Sequence, residues 1–202
     1  LLLSLNTDMY LMALMAKLLQ AEYYNHENHI REKLEKWPAI GVPLGILSRR
    51  ACRHLERAFS LVPVRVAIVL FRTWLNGWCT RRRFQNRDSK CLFGCASMFS
   101  EDSLEHYAYC PIVGDYARSK LRLPAHLSHG LRAFMCLESD VSDEDATLQL
   151  LLLYAVYTAT NQLRFGVKCR RTLNGHVLLQ QFVQQGAASS SKAQQIVDSI
   201  YH

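Results

Sequence analysis

Cys91, Cys95, His106 and Cys110 follow one another as C-x3-C-x10-H-x3-C in the stretch CLFGCASMFSEDSLEHYAYC. Three thiols and one imidazole make a complete tetrahedral ligand set for zinc. Gly94 lies between the first two thiols and permits the tight turn they need to converge. His106 and Cys110 are four residues apart, a spacing that puts both on one face of a helix. Four protein ligands leave no open coordination position, so the expected role is structural and not catalytic. Thiols must ionise to bind a cation, and the resulting site carries a formal charge of about −1, which Arg83, Arg87 or Lys90 would offset. The competing reading is that these are ordinary core residues, because free cysteine is often buried without binding anything. Cys79 is close enough in sequence to replace one ligand, whereas Cys52, Cys136 and Cys169 are assigned to the core or to helix faces.

A second constellation lies just upstream. The chain carries a formal net charge of +7, and residues 49–90 hold eleven Lys or Arg against two acids, Glu56 and Asp88. The positive charge of the whole molecule is therefore concentrated before the first thiol. Arg49, Arg50, Arg53 and Arg57 fall on one helical face, and Arg72, Arg81, Arg82, Arg83, Arg87 and Lys90 follow, interleaved with Trp74, Trp78 and Phe84. Arginine suits phosphate because its planar fork donates two parallel hydrogen bonds. Nucleic acid is the expected partner. The bland alternative is a solvated cationic face, with the two tryptophans in the core.

Other chemistries find no support. No phosphate-binding glycine loop, nucleophile elbow or paired-histidine metalloprotease helix is present. Cys91 and Cys95 are one residue too far apart for a Cys-x-x-Cys redox pair. The acids of ESDVSDED, residues 138–145, read as a helix start, with Ser142 and Asp145 as a capping pair. His126 and His129 read as surface residues. Seven cysteines without a regular framework, and no visible signal peptide, point to a reducing, intracellular setting. The longest apolar stretch, Leu150 to Ala159, is too short to span a bilayer, so no membrane role is expected.

The elements that must position these residues are expected to be helices. Half the residues are hydrophobic and a fifth charged, enough to build a core. Periodicity and punctuation predict helices over 7–34, 47–59, from Pro63 to about Gly77, 111–121, 127–137 and 143–171, a Gln-rich helix after Gly175 and a short terminal helix. Ser100 is expected to cap a short helix running through His106 and Cys110, with Glu101, Asp102 and Glu105 suited to its positive N-terminal end. The fold class is all-α: an irregular helical bundle with a small Cys3His segment inserted near the middle. Three parts are expected: an amphipathic helical segment over 1–45, basic helices with the zinc module over 46–122, and a helical segment over 123–202.

The order FRTWLNGWCTRRRFQ, CLFGC, an acidic spacer and LEHYAYCP resembles the zinc-binding region downstream of the polymerase domain in LINE-type, non-LTR retrotransposon reverse transcriptases. The likeness covers residues 60–120, with Cys91, Cys95, His106 and Cys110 at the four ligand positions and Pro111 after the last. It implies an accessory grip on template RNA or target DNA and a nuclear setting. It also implies a longer polypeptide that contains an RNA-directed DNA polymerase. No adjacent Asp-Asp pair of the kind that holds polymerase magnesium is present, so this segment alone is not expected to be an enzyme. The first residue is Leu1, and the chain reads as a piece of something longer. A different class of function remains open on the residues: a helical protein–protein scaffold using the Met-rich segment of Met9, Met12 and Met15 and the apolar helix at 148–163.

Overall fold

The computed structural model describes residues 26–37, 40, 43–85, 90–97, 100–165 and 174–201. Among them are ten helices and no strand, as expected for an all-α chain. They are α1 (His26–Leu34), α2 (Leu44–Leu61), α3 (Val64–Trp74), α4 (Leu104–Tyr109), α5 (Pro111–Ser119), α6 (Ala125–Ser128), α7 (Leu131–Phe134), α8 (Asp143–Phe165), α9 (Gly175–Ala187) and α10 (Ser191–Tyr201). An isolated antiparallel bridge, Lys90 to Glu101, closes the base of the Cys/His loop.

The centre of the bundle is α8. Leu148, Leu150, Leu151, Leu152, Leu153, Tyr154, Ala155, Val156 and Ala159 are all buried. A helix apolar around its circumference must be covered on every side. Here α2, α3, α6, α7, α9 and α10 all pack on it. The apolar helix that sequence reading offered as a docking face, 148–163, is buried from Leu148 to Val156 and half-buried or exposed at Tyr157, Thr158 and 161–163. The Met-rich segment lies outside the described residues. One buried cluster runs from Ile30 to Val197.

The ends of the helices follow local chemistry. At α8, the Asp145 N–H donates to Ser142 Oγ at 3.0 Å, and the hydroxyl donates back to the Asp145 carboxylate at 2.8 Å, the expected capping pair. At α3, Pro63 precedes the first turn and the helix runs to Trp74. Its stop is a Schellman arrangement: the Asn76 N–H donates to Thr73 O and the Gly77 N–H to Arg72 O. The residue with positive φ is Asn76, at 51°, and not Gly77.

Several boundaries depart from expectation. The basic helix begins at Leu44 and not near 47, because the Pro43 carbonyl accepts from the Ile46 and Leu47 N–H groups and starts the first turn. The helix expected over 127–137 is two short ones. Gly130, at φ 99°, and the extended His129 break it, and the Gly130 N–H donates to Ala108 O of α4 at 2.9 Å. The described part of α8 ends at Phe165, and residues 166–171 of the expected helix lie outside the described set.

Candidate metal centre

The loop from Cys91 to Cys95 turns at Gly94, which has φ 70°. Its N–H donates to the Cys91 carbonyl at 3.1 Å. A β-carbon is strained in this left-handed region, so the position favours glycine. This turn points Cys91 and Cys95 inward, and both are buried.

The cap of the helix that carries the second pair differs from expectation. Ser103, not Ser100, caps α4; its hydroxyl accepts from the His106 N–H at 3.1 Å. Cys110 lies one turn on from His106, at the end of the same helix face, as the spacing predicts. It ends α4 and also precedes α5, with φ −62° and ψ 123°. Pro111 explains the corner, because proline pushes the residue before it out of the α region and then starts a helix well.

One ligand atom from each of Cys91, Cys95, His106 and Cys110 lies within 4.8 Å of the others, and all four residues are buried. The Cys91 and Cys110 sulfurs are 3.9 Å apart, and Cys95 Sγ is 3.3 Å from His106 Nε2. Ligands about 2.3 Å (sulfur) and 2.0–2.1 Å (nitrogen) from a tetrahedral ion are themselves about 3.5–3.8 Å apart. A disulfide sulfur pair sits at about 2.05 Å, so Cys91 and Cys110 are not bonded to each other. The hydrogen bond with Cys110, and then burial, push the Cys91 thiol up to about 12. The same hydrogen bond lowers Cys110, and burial raises Cys95. A cation is what would let these crowded thiols ionise together. The cluster could hold a metal ion. Cys79, half-buried, is not part of it.

The centre is anchored by Asp102, a residue that sequence reading treated only as a helix-start acid. Its side chain is wholly buried and pairs with Arg164 of α8, the closest approach being 2.8 Å. Asp102 also accepts from the Tyr107 hydroxyl at 2.7 Å and from the Arg81 backbone N–H at 3.0 Å. Arg164 donates from both Nε and Nη2, so four donors converge on one carboxylate, the usual way a buried charge is made tolerable. Tyr107 in turn sits edge-on to Phe93 and His106 and near Trp78. The metal loop is thereby tied to α8 and to the arginine turn 81–85.

The expected nucleic-acid residues fall into two groups. On α2, Arg50 donates to Leu137 O at 3.1 Å, and Arg57 donates to Val141 O and to the Asp143 carboxylate. These two, half-buried, tie α2 to the loop after α7 and to the start of α8. Arg49 and Arg53 are exposed, and Arg49 bonds Gly45 O within its own helix. The second group borders the metal loop. Arg82 and Arg83 are exposed, as are Arg72 and Lys90, and Arg81 is half-buried. Arg82 lies 3.5 Å from Glu101 and 3.4 Å from Glu105. Arg83 reaches Trp78 O, and Arg72 donates to the Tyr157 hydroxyl at 2.9 Å. Arg87 lies outside the described residues. Trp74 and Trp78 are core, their indole N–H groups satisfied by Met135 O and Thr73 Oγ1.

Comparison with protein-family models, curated proteins and solved structures finds no match to this chain. Among the described residues, no helix is long and apolar enough to cross a membrane.

Proposed function

We propose that the chain is a zinc-stabilised nucleic-acid-binding module with no catalytic centre of its own. The observation that carries this reading is the joining of the Cys3His cluster to the arginine turn through Asp102 and the Lys90–Glu101 bridge. Zinc is the metal of choice for three sulfurs and an imidazole in a closed site, whereas magnesium and calcium take oxygen donors. Holding the loop would fix the turn that presents Arg82 and Arg83 to solvent. Those side chains suit phosphate. The resemblance to the segment downstream of a retrotransposon polymerase supports the same reading. On that basis the copying chemistry would belong to another part of a longer polypeptide, acting in the nucleus on template RNA or target DNA.

Binding of labelled oligonucleotide to the zinc-loaded chain, measured across a salt series, tests the proposal. The log of the affinity should fall linearly with the log of salt. Arg82→Ala with Arg83→Ala should weaken binding to all sequences alike and flatten the salt slope by about one to two phosphate contacts. Salt-insensitive binding, or none at low salt, would sink it.

A further inference from the structure

Phe84 and Phe165 are 67% and 65% exposed, while every other phenylalanine among the described residues is buried or half-buried. Each follows in sequence, by three residues or one, a residue that bonds one carboxylate. Asp102 Oδ2 accepts from the Arg81 N–H at 3.0 Å, and Phe84 follows three residues later in the same turn. Asp102 also takes the Arg164 guanidinium, and Phe165 is the next residue. The Arg164 guanidinium carbon lies 5.8 Å from the centre of the Phe165 ring. That places a cation against the ring within the range of a cation–π contact. Arg164 itself is 8% exposed and committed to Asp102, so it supports the ring and does not compete for a ligand.

Cations lie next to Phe84 in sequence and along α8 before Phe165. Arg82 and Arg83 adjoin Phe84 in the turn. Arg72 bonds Tyr157, seven residues before Arg164 on α8, or about 11 Å along the helix axis. Exposed aromatic rings among arginines are the chemistry that receives unpaired bases, because every base has a face to stack and every linkage a phosphate to neutralise. Bases inside a duplex are already stacked on one another and offer only their edges.

Resting on the nucleic-acid reading above, we propose that Phe84 and Phe165 form a two-ring stacking platform for the unpaired bases of a single strand. The module then prefers single-stranded RNA or DNA to a duplex of the same length. Its test is fluorescence anisotropy on the zinc-loaded full chain, using a mixed-sequence RNA strand, the matching DNA strand and the corresponding DNA duplex. At least one single strand should bind more tightly than the duplex. Phe84→Ala and Phe165→Ala should each weaken single-strand binding about ten-fold and leave duplex binding unchanged, while Phe84→Trp should keep single-strand affinity. Both rings are exposed, so circular dichroism of the variants should match the parent. Equal or tighter duplex binding would overturn the platform but leave the nucleic-acid reading standing. Ring variants that leave single-strand affinity unchanged while dissociating a dimer of the chain would do the same. Binding to none of the three would overturn both.

Discussion

Asp102 is the side chain on which the region around the metal loop converges. It is buried completely, and its charge is compensated by Arg164, with hydrogen bonds from Tyr107 and the Arg81 backbone. Breaking such a pair by removing one partner leaves a charge stranded in the interior. Arg164→Met should therefore lower unfolding stability by about 3–5 kcal/mol in urea. Adding Asp102→Asn should recover part of the loss, because the stranded charge disappears with it. A loss below about 1 kcal/mol for Arg164→Met would place the pair among exposed ion pairs of little weight. The four candidate ligands were legible in the sequence because cysteine and histidine are few and their spacing is short-range information. Asp102 was not, because its partner is 62 residues away. Next to a short helix, its carboxylate also reads as an ordinary start-of-helix acid.

At the scale of elements, each well-read helix carried its own punctuation. Pro63 and the Asn76–Gly77 stop delimit α3, and Ser142 with Asp145 starts α8. The misread stretch was set by a contact outside the local pattern. The bond from Gly130 to Ala108 O split the expected helix over 127–137. The join between α2 and the loop after α7 has a titratable member. His54 Nδ1 lies 2.6 Å from Cys136 O, and burial, the largest influence, lowers its pKa from the ordinary histidine value. The folded protein thus favours the neutral ring more than the unfolded chain does. The stability His54 contributes is complete above about pH 6.5 and is lost as pH falls through the lowered folded-state value. In thermal melts, wild-type stability should drop more steeply than that of His54→Gln between about pH 7 and pH 5. Parallel curves for the two proteins would contradict that assignment.

For the whole molecule, the decisive division is between charge that is used and charge that is offered. Arg50, Arg57, Arg65 and Arg164 are consumed within the fold, bonded to carbonyls, a hydroxyl or carboxylates of other elements. Arg82 and Arg83 beside the metal loop remain exposed, although Arg82 is shared with Glu101 and Glu105. Composition revealed the excess of positive charge but not this partition, which depends on contacts as distant as Arg65 to Ser189. The reading of the chain as a module that presents a cationic surface depends first on the Cys3His cluster being a metal centre. The most direct measurement is elemental analysis of the purified chain after zinc exposure and removal of loose metal. One zinc per chain is predicted, with stoichiometry lost in Cys95→Ser and in His106→Ala and kept in Cys79→Ser. A folded wild-type chain that retains no zinc, or a Cys95→Ser chain that retains it fully, would contradict the account.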